Sequence, residues 1–389
     1  MFKILTLNNI SPKGLDRLPR ETFEIASELK HPDAVLLRSE KLHDWPVPDS
    51  LLAVGRAGAG VNNIPVDAMS KRGIPVFNAP GANANAVKEL VLAGIFLAAR
   101  NICPAWAFAN SLDGSDAEMN KRAEAEKKRF TGFELPGRTL GVVGLGAIGV
   151  NVANAAAALG MHVIGYDPQI TVRSAWNLEA GVRRAHSVDE VLAAADVVTL
   201  HVPETDDTRG LINGARLAAS REGQVLLNFA RAGIVDDEAI IKALDNGRLR
   251  SYVCDFPSNA LGSHASVVAL PHIGASTHEA QENCAIMAAD QVRDFLLTGN
   301  IVNSVNFPEL ILPRNASGDR VTVANANVPN MLGQISSTLA DAGLNIADMY
   351  NKSRGDIAYS VVDIDGKIPA EALSRLQQTD GVLAVRVIE

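Results

Sequence analysis

A glycine-rich turn between two apolar runs restricts the fold of this chain more than any other feature of its sequence. The run Leu140–Val143 leads into Gly144-x-Gly146-x-x-Gly149, and an alanine-rich segment and a second apolar run ending in Asp167 follow. The first glycine permits a tight turn, the second lets the backbone approach a pyrophosphate, and the third lets a helix pack closely on the strand. This order predicts the strand–turn–helix–strand unit that binds a dinucleotide at a helix N-terminus.

Asp167 predicts which dinucleotide this unit binds. A carboxylate at the end of the second strand is placed for the two adenosine-ribose hydroxyls, which favours NAD over NADP. Glycine turns also abound in loops, but the two flanking strands and the terminal acid favour dinucleotide binding over a purely structural turn. We therefore expect NAD as the cofactor. We expect no metal, because the three cysteines are far apart and lack metal-type spacing.

Length and charge limit the classes of function. At 389 residues the chain is too long for one core and should hold two or three domains. Its net charge of −8 disfavours nucleic acid and anionic membranes as main partners, so an anionic substrate needs a local basic pocket. Cysteine usage fits a reducing compartment, and neither a signal-peptide pattern nor a membrane-length apolar run is recognisable. We expect a soluble cytoplasmic protein.

Apolar runs alternate with helical patterns along most of the chain, which predicts parallel sheets flanked by helices. Residues 1–100 are expected to form a substrate-binding lobe that residues 286–307 complete. Residues 101–285, where the pattern restarts, are expected to form a doubly wound NAD-binding domain. We expect two lobes of related Rossmann- or flavodoxin-like architecture facing a cleft, with helical stretches at residues 84–110 and 277–297 as a hinge.

The last part of the chain has a different rhythm. Residues 308–318 carry two prolines and a polar tail, which predicts a linker. Residues 319–389 show the strand–helix–strand–strand–helix–strand order of the ferredoxin-like split βαβ module.

Two polar residues that follow strand-like runs of the second lobe are candidates for catalysis, because functional groups of open α/β sheets lie at the carboxyl ends of strands. Arg231 follows the run Val225–Asn228 and can hold a substrate carboxylate; the alternative is a surface arginine that caps a helix or pairs with Asp236. His272 follows the run Val267–Leu270 and suits general-base work; the alternative is a histidine that caps the next helix. Chain position alone leaves both alternatives open.

Together these motifs resemble the D-2-hydroxyacid dehydrogenase family, over nearly the whole chain. The second-lobe motifs are the glycine turn with Asp167, Leu200-His-Val-Pro203, Asn228-Phe-Ala-Arg231-Ala-Gly-Ile-Val-Asp236 and Pro271-His272-Ile-Gly-Ala-Ser-Thr277. The resemblance is narrowed by two further motifs, Gly55-Arg56-Ala-Gly-Ala-Gly60 and Gly73-Ile-Pro-Val-Phe-Asn78-Ala-Pro80. It is narrowed again by a segment similar to an ACT domain, Val323–Ile346. It implies NAD-dependent oxidation of 3-phospho-D-glycerate to 3-phosphooxypyruvate, the first step of L-serine biosynthesis.

The resemblance also implies roles for the matching residues. Arg231 would hold the carboxylate, His272 would be the catalytic acid and base, and Asp255 would orient the nicotinamide carboxamide. Contacts with the substrate are implied for Arg56, Ala57, Gly58, Asn78, Arg231 and His272. Contacts with NAD are implied for Gly144, Gly146, Ala147, Ile148, Gly149, Asp167, His201, Val202, Pro203, Thr208, Phe229, Ala230, Arg231, Asp255, His272 and Gly274. The substrate phosphate is expected to meet Arg56, with Arg38, Lys128 and Arg129 as further candidates.

One departure from the family pattern concerns the histidine. The family normally places a glutamate between the arginine and the histidine, paired with the histidine, but residues 256–271 contain no acidic residue. Asn259, Asp255 or water would then orient His272, and a neutral partner stabilises imidazolium less than a carboxylate does.

A second departure lies in the ACT-like segment. Related domains that sense serine carry a histidine and two asparagines, whereas this chain offers Asn325, Asn327 and Asn345, and Asn330 replaces a glycine that usually opens the helix. We expect an effector pocket between the turn 325–330 and Asn345, at an interface between two such modules. The alternative is a module that serves only dimerisation.

Two other functions stay open from the sequence. One is a dehydrogenase of another 2-hydroxy acid, such as lactate, glyoxylate or hydroxyglutarate, and the other is a regulatory NAD-binding protein without catalysis. We expect a homodimer or homotetramer, because proteins of this fold usually dimerise through the nucleotide-binding lobe.

Overall fold

The structure, a computed structural model, describes residues 1–262, 264–314 and 318–389. These residues form two compact units, the first from Met1–Asn83 and His278–Glu389, the second from Ala84–Thr277. Residues 315–317 of the expected linker lie outside the described residues.

The first unit begins with a parallel sheet. Its elements are β1 (Phe2–Leu7), α1 (Pro12–Leu15), β2 (Phe23–Ala26), β3 (Ala34–Leu37), β4 (Ala53–Arg56), α2 (Val66–Lys71) and β5 (Val76–Phe77). The strands lie in the order β2-β1-β3-β4-β5, and each neighbouring pair is parallel. This is the strand order of flavodoxin-like sheets. All four residues of β3 are buried, as expected for a central strand covered on both faces.

The second unit is a doubly wound sheet. Its elements are α3 (Ala84–Ala99), α4 (Ile102–Asn110), α5 (Asp116–Glu126), β6 (Thr139–Val143), α6 (Ala147–Ala158), β7 (His162–Tyr166), α7 (Val172–Trp176), β8 (Arg183–Arg184), α8 (Val188–Ala194), β9 (Val197–Leu200), α9 (Gly214–Ala219), β10 (Gln224–Asn228), α10 (Asp237–Asp245), β11 (Leu249–Cys254) and β12 (Val267–Ala269). The parallel strands lie in the order β12-β11-β10-β9-β6-β7-β8. Chain order reverses between β6 and β9, which is where such sheets bind ligands. The predicted Rossmann-like architecture is confirmed.

Alternate residues of these strands enter two cores, one on each face of the sheet. Leu226 packs into the core beneath α8 and α10, whereas Leu227 packs into the core beneath α3 and α6. Side chains of a strand point alternately to opposite faces, so a strand covered on both faces is apolar throughout.

The helical stretch expected at residues 84–110 is two helices. Asn101 separates α3 from α4 with a φ of 51°, in the left-handed region that ends a helix. Among the described residues no single helix has the length and apolar character needed to cross a membrane, and α3 with α4 meets that test only as a pair bent by 67°.

After the second unit the chain returns to the first. The returning elements are α11 (His278–Thr298), β13 (Arg320–Ala326), α12 (Met331–Asp341), β14 (Ile346–Arg354), β15 (Ile357–Ile364), α13 (Ala370–Gln378) and β16 (Val382–Ile388). The last four strands form an antiparallel sheet in the order β14-β15-β13-β16, here called the C-terminal module with its two helices. One face of this sheet packs on α12 and α13, and Ala324, Tyr359 and Val361 of the other face pack with α11.

A buried ion pair joins the C-terminal module to the end of α11. The Nε and Nη2 groups of Arg320 donate to the two carboxylate oxygens of Asp363 at 2.6 and 2.7 Å, and the side chains are 0% and 1% exposed. Nη1 of Arg320 donates to the carbonyls of Thr298 and Leu312, both at 2.9 Å. One guanidinium thus ties β13 to β15, to the last turn of α11 and to the segment that precedes the module.

Candidate functional site

The glycine turn connects β6 to α6 at the point where the strand order reverses. Gly144 has a φ of 94°, and a Cβ there would lie 2.6 Å from the carbonyl oxygen of His201, at the end of β9. A Cβ on Gly149 would lie 1.9 Å from the carbonyl oxygen of Gly144. Only glycine permits this approach of helix to turn. The N-terminus of α6 lies between these two glycines: Gly146 is its N-cap, and Ala147 and Ile148 are its first residues.

Asp167 directly follows β7, beside the glycine turn. Its Oδ2 accepts the backbone N–H of Leu145 and its Oδ1 accepts that of Gln169, both at 2.8 Å. The carboxylate is therefore fixed next to the turn by two backbone donors.

His201 follows β9 and contributes a neutral ring. Its Nε2 lies 3.0 Å from the hydroxyl of Thr199, and its buried Nδ1 has no hydrogen-bond partner among the residues that the structure describes. Burial lowers the pKa of His201 to about 3, so the ring stays uncharged above that pH. The loop that follows, with Val202 and Pro203, is closed by Thr208, whose hydroxyl donates to the Pro203 carbonyl at 2.5 Å.

Arg231 lies in a loop after β10 that Asn228 organises. The amide of Asn228 donates to the carbonyl of Arg231 at 2.8 Å and accepts the N–H of Ala230 at 3.1 Å. The exposed guanidinium of Arg231 donates to the Ala230 carbonyl at 2.6 Å and forms no ion pair with a described residue. Asp236 instead caps α10 by accepting the N–H of Ala239. The alternative pairing with Asp236 is absent, so most donors of Arg231 are available to a ligand.

His272 lies in a turn whose backbone is fixed by Asp255. Asp255 follows β11, is 1% exposed, and accepts the N–H groups of Ile273 and Gly274 at 2.8 and 2.7 Å. His272 has a φ of 57°, and its exposed side chain lies beside the ring of Phe256, with ring centroids 5.1 Å apart. The imidazole makes no hydrogen bond within the described ranges, so it does not cap α11.

The structure therefore excludes two of the three groups that were expected to orient His272, namely Asp255 and Asn259. Asp255 uses both carboxylate oxygens on backbone N–H groups and makes no hydrogen bond to the imidazole. Asn259 is exposed and makes no hydrogen bond to the imidazole either. Phe256 is the side chain that the structure places against the ring. Its contact, and the positioning of the Arg231 loop by Asn228, were not predicted from the sequence.

Within the first unit, the candidate substrate residues lie at the carboxyl ends of neighbouring strands. Arg56 ends β4, and its Nε donates to the side chain of Asn63 at 3.1 Å. Asn78 follows β5, and its amide donates to the Ala59 carbonyl at 2.5 Å, which holds the loop of Ala57 and Gly58. Arg38 follows β3. In the second unit, Arg129 is engaged locally: it pairs with Glu126 and stacks on two aromatic rings, beside Lys128.

The three asparagines of the C-terminal module do not meet within one chain. Asn325 on β13 pairs with Ala358 of β15, whereas Asn345 precedes Ile346, which pairs with Ile364 at the other end of β15. The two ends are on the order of 20 Å apart along the strand. Asn325 is 1% exposed and its Oδ1 lacks a partner among the described residues, while Asn327 donates to Gly355 and Asn345 to Asp365.

The carboxyl edge of the second-unit sheet fits NAD. A Cβ on Gly146 would meet no heavy atom within 4 Å, so the N-terminus of α6 is open to a pyrophosphate, and Asp167 stands beside it. Phe229, Ala230, Asp255 and Gly274 lie on loops at the same edge, because each follows a parallel strand. This edge thus brings together residues that can bind a dinucleotide, the guanidinium of Arg231 and the exposed imidazole of His272.

Comparison with known proteins agrees with this arrangement. Residues 103–279 match the sequence model of the D-isomer specific 2-hydroxyacid dehydrogenase, NAD binding domain. The chain is 35% identical over 349 residues to the D-3-phosphoglycerate dehydrogenase of Haemophilus influenzae, covering 87% of this chain and 81% of that protein. It is 32% identical to the enzyme of that name from Escherichia coli K12, covering 87% and 82%.

A solved structure supports the same relationship. The apo D-mandelate dehydrogenase of Rhodotorula graminis is 25% identical and superposes with a TM-score of 0.67, covering 80% of this chain and 99% of that one. NAD is accordingly the cofactor of this chain. The chain belongs to the D-3-phosphoglycerate dehydrogenases of the D-isomer specific 2-hydroxyacid dehydrogenase family.

Proposed function

We propose that this chain oxidises 3-phospho-D-glycerate to 3-phosphooxypyruvate with NAD, the first step of L-serine biosynthesis. The observation that carries the proposal is the placement of Arg231 and His272 on loops of the sheet edge that also carries the glycine turn and Asp167. The similarity to D-3-phosphoglycerate dehydrogenases supports the choice of substrate.

Each residue has a distinct task in this reaction. Arg231 holds the substrate carboxylate with its two-donor fork and stabilises charge on the neighbouring oxygen. His272 accepts the proton of the C2 hydroxyl, since an exposed imidazole next to the bound substrate is suited to general-base work. The glycine turn and Asp167 would hold NAD, which would supply the acceptor for the hydride of C2. Arg56 and Arg38 are proposed to contact the substrate phosphate, and Asn78 to hold the Arg56 loop through Ala59.

A steady-state assay with a panel of hydroxy acids and keto acids tests the proposal. We expect turnover with 3-phospho-D-glycerate and with 3-phosphooxypyruvate in reverse, and much lower kcat/KM with lactate, glyoxylate and 2-hydroxyglutarate. Preference for one of those acids would identify a dehydrogenase of another substrate. Absence of turnover with every acid, despite NAD binding, would support a non-catalytic NAD-binding protein.

We expect strong preference for NAD over NADP, because the carboxylate of Asp167 repels a 2′-phosphate. Asp167→Asn removes the charge and keeps one acceptor for the turn, so it should narrow the ratio of kcat/KM values for the two cofactors. Asp167→Glu, which keeps the charge, is the control. Equal use of NAD and NADP by the native enzyme would contradict this role.

Arg231→Ala should lower kcat/KM by about 10²–10³-fold, because it removes two charge-assisted hydrogen bonds to the carboxylate. Both kcat and KM should worsen. Arg231→Lys keeps the charge without the planar fork and should recover only part of the loss. If Arg231→Lys were fully active, the residue would serve as a general positive charge and not as a bidentate carboxylate ligand.

We further propose that the chain assembles through its nucleotide-binding unit and its C-terminal module. Helix α4 buries no residue, and its Ile102 and Trp106 are 43% and 69% exposed. Apolar side chains on an unburied helix favour a second copy as their partner. In the module, β14 is a nine-residue edge strand without a buried residue. The cytoplasm is the compartment we propose, and Cys103, Cys254 and Cys284 are free thiols.

The C-terminal module is proposed to be an ACT domain that senses a small amino acid such as serine. Its strand order, β14-β15-β13-β16, is that of ferredoxin-like modules. Two modules joined antiparallel through their β14 edges would bring Asn345 of one copy to Asn325 and Asn327 of the other. Division into a substrate-binding lobe, an NAD-binding domain, a linker and this module is part of the same proposal.

Calorimetric titration of the full chain with serine and with glycine tests this module. We expect serine to release or absorb heat and to lower turnover, with a coupling of about 1–3 kcal/mol between effector and active site. Asn345→Ala should abolish the heat without changing turnover in the absence of serine. No heat and no change in rate with native protein would leave the module with a purely structural role.

A further inference from the structure

A cavity lies between the C-terminal module and the first parallel sheet, both within the first unit. Its volume is about 320 Å³, at the lower end of the range for small-molecule sites. The polar residues that line it include Arg72, Thr322, Tyr359, Gln377 and Arg386. It is separate from the predicted effector asparagines, none of which lines it.

Arg386 supplies the strongest charge in this cavity. Its two Nη groups donate to the carbonyls of Phe295 and Leu296 at 3.3 and 2.9 Å, in the last turn of α11, and its guanidinium carbon lies 4.6 Å from the Phe295 ring centroid. No carboxylate of the described chain lies within ion-pair distance. Burial lowers the pKa of Arg386, and the more distant carboxylate of Asp33 offsets this effect only in part.

The rest of the cavity adds a second guanidinium, that of Arg72, and little negative charge. Arg72 lies at the wall, where its guanidinium donates to the Val47 carbonyl at 2.7 Å and to Asp49 at 2.9 Å. Asp49 is the one acidic residue among those that line the cavity, and its side chain is fully exposed. The hydroxyl of Tyr359 donates to the Gly299 carbonyl. A buried cation costs free energy until an opposite charge pairs with it, so the walls favour an anion.

We propose that this cavity binds a small oxyanion, a phosphate or a carboxylate, between Arg386 and Arg72. Arg386 belongs to β16 of the module, whereas Arg72 follows α2 of the first sheet. An anion held by both guanidinium groups stabilises the packing of the module on that sheet, because it binds only the packed arrangement. The proposal does not depend on the substrate of the dehydrogenase.

Inorganic phosphate and citrate are the probes that test this site. Thermal unfolding of the full chain is followed with each anion and with sodium chloride at matched ionic strength. We expect phosphate or citrate to raise the unfolding temperature by about 2 °C or more beyond the salt control. Isothermal titration should give Arg386→Gln at least a tenfold weaker affinity for that anion, because a guanidinium that lines the cavity is lost.

Two further variants keep the test decisive. Arg375→Gln removes an exposed arginine of the same module, which pairs with Asp341 at the surface, and should bind the anion like the native chain. Arg72→Gln leaves the contacts of Arg386 with α11 intact and should also weaken binding, so it carries the test if Arg386→Gln does not fold. Equal affinity in the native chain, Arg386→Gln and Arg72→Gln would place the anion elsewhere and overturn the proposal, as would no effect beyond the salt control.

Discussion

Replacing His272 by alanine is expected to lower kcat by about 10²–10⁴-fold, the usual contribution of a positioned general base. The imidazole is exposed on the loop after β12, and it makes no hydrogen bond to the described chain that would give it a structural task. Binding of NAD should change little. The limb of the pH–rate profile that reports the base should disappear together with the activity.

Backbone strain complicates the alanine variant, and an asparagine variant removes that difficulty. His272 has a φ of 57°, a conformation that asparagine adopts more readily than alanine does. His272→Asn should therefore keep the turn and lose the same activity. If either variant kept near-native turnover with an unchanged pH profile, another group would be moving the proton.

The ring of Phe256 is the side chain that contacts the imidazole of His272. Its ring is tilted by 56° against the ring of His272, whereas the family pattern pairs this histidine with a glutamate. We infer that Phe256 positions the ring by contact, without supplying charge.

The sheets could be predicted from the sequence because their strands are apolar throughout. The predicted runs Leu140–Val143 and Val225–Asn228 lie within β6 and β10, since residues buried on both faces of a sheet give an uninterrupted run of this kind. The edge strand β8 could not be predicted in this way, because both Arg183 and Arg184 are exposed and polar. The break at Asn101 was also missed, since a single left-handed residue leaves the surrounding helical pattern unchanged.

In the candidate site, too, residues could be predicted from their position in the sequence, whereas contacts between distant segments could not. Arg231 and His272 could be selected because each follows a strand, and parallel strands end at one edge. The interaction of Asp255 with the backbone of Ile273 and Gly274 could not, because it depends on which loops meet in space. Asn325 and Asn345 lie at opposite ends of β15 within one chain, so the pocket expected between two modules depends on a second copy and stays a prediction.

Asp363→Ala is expected to cost about 3–5 kcal/mol of stability, because it leaves the guanidinium of Arg320 buried without its counter-charge. The pair spans 43 residues of sequence, so no local pattern reveals it. Arg320 also holds the carbonyls of Thr298 and Leu312, and we expect the loss of Asp363 to loosen the module from the end of α11. Differential scanning calorimetry would measure the loss, and hydrogen exchange in β13 and β15 would locate it.

The exposed pair of Arg375 and Asp341 is the matched control in the same module. Its side chains are 55% and 60% exposed, so Asp341→Ala should cost only about 0–1 kcal/mol. Replacing Arg320 by methionine together with Asp363 by leucine should recover much of the loss, because no buried charge then remains unpaired. If Asp363→Ala cost no more than Asp341→Ala, water would be reaching Arg320 and the pair would not hold the module. Recovery in the double variant would show that the cost of the single variant comes from an unpaired charge and not from lost packing.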